Sequence, residues 1–274
     1  MHISNLSADY PDLHDACHKY PSIDNHAHAL LKLEHRDAMI FENVISDASG
    51  AALQDSVHSL ACFRATIQLA KLFGLKGEDV TWEKVKAAGR AMEYEKLCRT
   101  CFEPARIQCI LIDDGLGGSK DLVEDYKWHD GLTTSPTKRI VRLEVAAEVF
   151  LHPLADLTIP ICISQDILKD ILKMKHAYQL DHSIPKILEL FDLKFRALIH
   201  TSEDDTEVVG YKSIAAYRTG LKISVSGSKK DIETSLGVAV KSYYDNDGRE
   251  LRLQHKAFND HVVRMALNTA RKPG

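Results

Sequence analysis

The sequence predicts an α/β fold with a mainly parallel sheet, because four strand segments alternate with long helical stretches. The first strand covers residues 22–25, and the second covers residues 107–112. The nearly continuous apolar run of the second is typical of a strand covered on both faces. The third covers residues 139–144 and the fourth covers residues 208–217. Polar side chains lie at or just after the end of each predicted strand. In parallel sheets, active-site residues are usually found at the carboxyl ends of the strands.

Helical periodicity accounts for most of the remaining chain. It predicts a lead-in helix within residues 1–20 that Pro21 ends, and helices without a convincing strand over residues 41–103. Within the latter stretch, Gly74 is a predicted helix stop and Thr81 a predicted N-cap. The other predicted segments are helices at residues 122–126, 145–151, 158–200, 231–244 and 251–271, a loop at 128–131 and an ambiguous strand at 159–164.

Composition excludes several classes of protein. The chain has 274 residues, of which 45% are hydrophobic and 27% charged, as in an ordinary globular protein. With a net charge of -4, the chain lacks the excess of positive charge that is typical of proteins that bind nucleic acid or acidic membranes. No apolar run approaches the roughly 20 residues that span a bilayer, and no secretory signal opens the sequence. We therefore expect a cytoplasmic protein without nucleic-acid or membrane partners.

Six cysteines are expected to be reduced and partly buried in such a protein. Cys98 and Cys101 have the spacing of a zinc knuckle or a redox motif. They lie in a helical pattern, however, and no second pair follows. The sequence therefore favours a structural role for these thiols.

The most informative motif is His26-Ala27-His28, which directly follows the first strand. Residues two apart on a strand point to the same side, so the two imidazoles can be presented together. Two neutral imidazoles are half of a site for a borderline metal such as zinc. Asp24 or a backbone carbonyl could hold an N–H group of one of the rings. The alternative is that His26 and His28 are ordinary loop residues.

Charged residues near the other strand ends are further candidates. Lys212 lies in an apolar strand, where an unpaired charge is costly. It is predicted to be a carbamylated metal ligand or a charge for an anionic substrate group, with snorkelling from an edge strand as the alternative. Asp113 and Asp114 could be ligands or turn-formers. Arg142 and Glu144 lie two apart on one face and could pair with each other.

Several segments resemble one known family. Residues 21–28 resemble the metal-binding start of the amidohydrolase-related, metal-dependent hydrolases. The subgroup that the sequence resembles is the N-terminal amidohydrolase-like part of the fungal FluG and glutamine synthetase-fused proteins. The other segments that match this subgroup are residues 94–104, 112–118, 125–130, 135–142 and 210–221.

The resemblance implies a (β/α)8 barrel, of the TIM type, with the histidine pair on its first strand. His26 and His28 would bind a divalent metal, with Zn2+ expected. Lys212 would be catalytic, as a third ligand or a substrate anchor. The metal would activate water for hydrolysis of a C–N or ester bond in a small molecule.

Four residues are predicted to contact the substrate. Arg142 or His129 would meet an anionic group, and Glu144 and Arg218 lie at or just after the ends of the third and fourth strands. The family's later histidine motifs and its aspartate do not appear after Lys212.

The strand count predicts an incomplete barrel. After Tyr217 only 57 residues remain, whereas each further βα unit takes roughly 30 residues or more. We therefore expect a single domain over residues 1–274 that holds about the first four βα units, lacks its C-terminal strands and carries a helical insertion at residues 41–103. A second copy could complete the barrel as a homo-oligomer.

Truncation predicts weak or absent hydrolase activity, which leaves two other functions open. One is a non-catalytic regulatory or interaction protein that keeps the scaffold of the FluG amidohydrolase-like part. The other is an accessory role in glutamine synthetase-type ligase chemistry.

Overall fold

A computed structural model describes residues 10–113, 121–151, 180–245 and 251–270. The chain divides into two compact units. Unit 1 comprises Met1–Ile112 and Gly118–Thr137, and unit 2 comprises Asp113–Gly117 and Lys138–Gly274. The described strand pairings are parallel and the elements between the strands are helical, so the α/β class is confirmed.

Unit 1 contains the first two strands and a run of helices. Its helices are α1 (Pro11–Lys19), α2 (Ala51–Asp55), α3 (Leu60–Leu72), α4 (Trp82–Ala91) and α5 (Tyr94–Ala105). Strand β1 (Ser22–Ala27) pairs with β2 (Ile107–Asp113), whose last residue belongs to unit 2. Ala27 lies opposite Ile112 in the register of this pair. Both strands are therefore confirmed, each within two residues of its predicted end.

The helices after β1 begin and end where local chemistry predicts. The Thr81 side chain caps α4 by accepting a hydrogen bond from the Lys84 amide at 3.3 Å. Gly74 follows α3 with a φ of 75°, a left-handed conformation that glycine adopts without strain. The buried core of these helices consists of Cys62, Ala70, Trp82 and Val85. Described residues 41–105 contain no strand; their status as an insertion in a single domain stays a prediction.

Unit 2 contains the other strand pair and the larger core. Strand β3 (Lys138–Arg142) pairs with β4 (Val208–Lys212), and Arg142 lies opposite Lys212. The helices are α6 (Leu143–Leu151), α7 (Leu180–Asp204), α8 (Ala215–Arg218), α9 (Lys229–Asp245) and α10 (Lys256–Thr269). Phe195, Leu236 and Phe258 are each at most 1% exposed in its core.

Several predicted segments are wrong. The third strand ends at Arg142 and not at residue 144, because α6 begins at Leu143. Residues 128–131 lie in a 3-10 helix and not in a loop, and the last helix begins at Lys256 and not at residue 251.

The strand expected to reach residue 217 ends at Lys212, because Glu144 binds Ser213 and the Ile214 amide and turns the chain there. The expected helix at residues 122–126 is replaced by extended pairing, in which Leu31 bridges Val123, and by a 3-10 helix at Tyr126–Leu132.

Other predictions lie outside the described residues. These are the helix and ambiguous strand within residues 152–179, Asp114 and the glycine-rich turn after it. The eight-stranded barrel and its truncation also stay predictions. None of the described helices is both long and apolar enough to cross a membrane.

Candidate functional site

The histidine pair lies at the end of β1 in unit 1. His26 is in the strand and His28 follows it, and their ring centroids are 6.1 Å apart. The ring planes meet at 73° and both side chains are exposed. A metal ion in solvent could therefore reach both imidazoles.

Asp24 orients the backbone at the first histidine of the pair. Its Oδ1 accepts a hydrogen bond from the His26 amide at 3.2 Å. This contact fixes the chain between Asp24 and His26, where the β1–β2 register is irregular. Asp24 therefore shapes the end of the strand that carries the first imidazole.

The chain just after His28 is anchored by extended pairing. The Lys32 amide donates to the Leu122 carbonyl at 2.8 Å, and the Glu124 amide donates to the Leu30 carbonyl at 2.8 Å. The Tyr94 hydroxyl donates to the Leu31 carbonyl. Burial raises the pKa of Tyr94, so its hydroxyl keeps the proton that it donates.

His129 holds the same segment from the protein interior. It is 1% exposed, and its Nε2 accepts the Leu30 amide proton at 3.0 Å. Its Nδ1 donates to the carbonyls of Asp125 and Tyr126, at 3.1 and 3.2 Å. Burial lowers the pKa of His129, which keeps the ring neutral. With both ring nitrogens bound to backbone groups, the geometry favours a structural role for this predicted substrate contact.

The second candidate region is a charge cluster in unit 2, made by Asp113, Arg142 and Lys212. These are the last residues of β2, β3 and β4. Arg142 Nε lies 3.0 Å and Lys212 Nζ lies 3.0 Å from the same Asp113 oxygen, Oδ2. Arg142 also donates from Nη2, so it forms a bidentate ion pair with the Asp113 carboxylate. The structure thus brings three of the candidate residues together.

Asp113 balances charges that burial would otherwise make costly. Its side chain is 2% exposed, against 11% for Arg142 and 21% for Lys212. The sequence left open a pairing of Arg142 with Glu144; the structure pairs Arg142 with Asp113 instead. The available signal was the position of Asp113 directly after a buried strand, but that position does not identify its partners.

Glu144 fixes the chain that follows Lys212. It is fully buried, accepts from the Ser213 hydroxyl at 2.6 Å and accepts from the Ile214 amide at 2.9 Å. Both donors directly follow β4, so Glu144 sets the direction in which the chain leaves Lys212. This geometry supports positioning rather than the predicted substrate contact.

Arg218 is engaged with other helices and loops of unit 2. It lies 2.8 Å from Glu148 Oε1 and 3.3 Å from the Leu253 carbonyl. The same glutamate oxygen accepts the Leu253 amide proton at 2.7 Å. Arg218 therefore joins α8, α6 and the segment before α10, whereas the sequence predicted a substrate contact.

The cysteines support the structural interpretation. Five of them lie in described residues and all five are free thiols. Burial raises the pKa of both Cys98 and Cys101, so neither is activated as a thiolate. A redox role for this pair is therefore disfavoured.

In the described part of the chain, the side chains that could bind a metal ion come together in groups of no more than two. No group of three His, Cys, Asp or Glu side chains there is arranged to hold an ion. His26 and His28 provide two nitrogen ligands, which fit a borderline divalent metal. The remaining positions would have to be filled by water, substrate or other residues.

Comparisons with known proteins point to one group. No protein-family model matches the chain. The chain is 33% identical over 255 residues to Protein fluG of Emericella nidulans, covering 91% of this chain and 27% of that protein. A candidate metal-dependent hydrolase from Lactobacillus casei ATCC 334 has a similar structure, with a TM-score of 0.60 and 21% identity. That match covers 92% of this chain and 56% of the solved one.

Proposed function

We propose that this FluG-like chain, whose fold is similar to that of a metal-dependent hydrolase, takes part in hydrolysis of a small molecule. The proposed bond is a C–N or ester bond. The observation that carries the proposal is the exposed pair of imidazoles at the end of β1. The chain spans 27% of the length of Protein fluG, so any activity of that whole protein is a proposal for this one.

His26 and His28 are the residues that would hold the metal, and zinc is the proposed ion. Both are neutral-imidazole donors of the kind that zinc binds. When bound, such an ion lowers the pKa of a water molecule and polarises a carbonyl group. His129 and Asp24 contribute by fixing the backbone on either side of the pair.

Lys212 and Arg142 are proposed to bind an anionic group of the substrate. Asp113 forms ion pairs with both cations and so orients their side chains. These ion pairs do not use every N–H group of the Arg142 guanidinium. A carbamylated Lys212 would place a second negative group against Asp113, so the geometry favours the unmodified lysine. Lys212 therefore serves this proposal as a substrate anchor.

Metal analysis of purified protein tests the proposal. We expect the bound zinc to fall by about one ion per chain in the His26→Ala, His28→Ala double variant. The matched control is the His58→Ala, His200→Ala variant, which removes two exposed histidines elsewhere. Amide, ester and lactone substrates would then be screened with the zinc-loaded protein. Folded protein whose zinc content is the same in the wild type and the double variant, or falls equally in the control variant, contradicts the proposal.

A second candidate function is a non-catalytic regulatory or interaction protein. The observation that favours it is the lack of a three-donor metal group in the described residues. Zinc-free, well-folded protein without turnover would support it. An accessory role in glutamine synthetase-type chemistry would require that the chain change the rate of a separate ligase.

A further inference from the structure

We propose that α1 carries a separate binding site for a divalent transition-metal ion, formed by His14 and His18. Residues four apart on a helix lie on the same face. The two ring centroids are 4.2 Å apart and the ring planes differ by 27°. Both side chains are exposed, and no residue of α1 is buried. An ion can therefore approach the pair from solvent.

A hydrogen bond sets the ligand atom of His18. Its Nδ1 lies 2.8 Å from the His14 carbonyl oxygen. A carbonyl oxygen only accepts, so Nδ1 carries the proton and Nε2 of the neutral ring carries the lone pair. Metal-binding histidines commonly donate their second ring nitrogen to a backbone carbonyl in this way. The contact thus prepares His18 as an Nε2 ligand.

The position on the helix favours a cation. His18 lies in the last turn of α1, where unsatisfied carbonyls make the helix terminus negative. Lys19, the neighbouring cation, is paired with Asp15 four residues earlier. Because Asp15 neutralises it, the Lys19 ammonium repels a metal ion at the histidine pair less strongly than an unpaired lysine would.

The chemistry selects the class of ion. Two imidazole nitrogens suit Cu2+, Ni2+ and Zn2+, whereas Ca2+ and Mg2+ prefer oxygen ligands. Since no third donor converges on the pair in the described residues, water would complete the coordination. An ion that bridges His14 and His18 also links successive turns and should slow the opening of α1.

Nickel titration of the full chain tests this site by calorimetry. The titration uses the His26→Ala, His28→Ala background, so that failure of the proposed hydrolase site does not affect the result. We expect about one bound Ni2+ in that background, and loss of this binding after the further change His14→Ala with His18→Ala. Amide exchange in α1 should slow on adding Ni2+ only while both histidines are present.

A control moves one imidazole off the shared face. In the same background, His18→Ala combined with Lys19→His and Asp15→Asn places the second histidine five residues from His14, where the pair cannot chelate, and removes the carboxylate four residues before it. We expect this variant to bind no more tightly than the one lacking both histidines. Nickel binding that survives removal of His14 and His18, or that returns with Lys19→His, overturns the proposal.

Discussion

Asp113 sets the charge balance at the ends of the strands in unit 2. It is almost fully buried and meets both Arg142 and Lys212. Its removal would leave two cations close together with little access to water. Such an uncompensated buried charge is among the few single changes that strongly destabilise a protein.

We expect Asp113→Asn to lower the free energy of unfolding by about 2–3 kcal/mol, because the Arg142 guanidinium and the Lys212 ammonium lose the carboxylate that they share. Urea denaturation measures the change. Glu233→Gln is the control, since its pairing with exposed Lys229 spans 3.7 Å and is worth less than about 1 kcal/mol. Adding Lys212→Met to Asp113→Asn should recover part of the loss. A loss for Asp113→Asn no larger than that of the control would contradict this account.

His129 should make stability depend on pH. Burial lowers its pKa in the folded protein, so the unfolded chain takes up the proton more readily. The stabilisation is fully present above the ordinary value of 6.5 and declines as the pH falls toward the folded-state pKa. Acid therefore favours unfolding through this residue.

The measurement compares the wild type with His129→Gln by urea denaturation between about pH 7.5 and about pH 5.5. The difference in unfolding free energy between the two proteins should shrink on acidification, by at most about 1.4 kcal/mol per pH unit. A difference that is constant over this range would show that His129 does not titrate as its burial requires.

At the scale of elements, the helices of unit 1 depend on their side-chain caps. Ser59 accepts the Cys62 amide proton at 3.1 Å, and Thr81 accepts that of Lys84 at 3.3 Å. These bonds satisfy amides that have no partner within the helix. The buried core between these helices is small, so the caps supply a substantial share of their stability.

We expect Thr81→Ala to cost about 1 kcal/mol in unfolding free energy, because the Lys84 amide loses its acceptor. Thr81→Ser keeps the hydroxyl and should cost much less. Chemical denaturation monitored by Trp82 fluorescence, with Trp128→Phe in every variant, reports on α4 directly, since Trp82 opens the helix. Equal losses in the two variants would assign the effect to packing instead of the cap.

At the scale of the whole molecule, apolar burial differs between the units. The core of unit 2 joins α6, α7, α9 and α10, and includes the fully buried Phe195. The described helix α1 of unit 1 buries no residue at all. Local opening is easiest where few apolar contacts are lost.

Hydrogen exchange should therefore be slowest in α7, α9 and α10 and fastest in α1. Mass spectrometry of peptides from a labelled sample resolves these segments. The comparison is made without added metal, because an ion bound at His14 and His18 would protect α1. Amides of α1 that exchange as slowly as those of α9 would contradict the expectation.

The sequence by itself determined the class of the fold, the start of each of the four strands to within one residue, and the presence of the histidine pair at the end of β1. These features depend on local patterns, such as apolar runs, helical spacing and residues that end or begin a helix, as Gly74 and Thr81 do. Tertiary structure alone decided which charged groups meet. The partners of Asp113 lie 29 and 99 positions away in the sequence, and only strand pairing brings them together. It likewise decided that His129 is buried against Leu30, because no local pattern shows which loop a polar ring will enter.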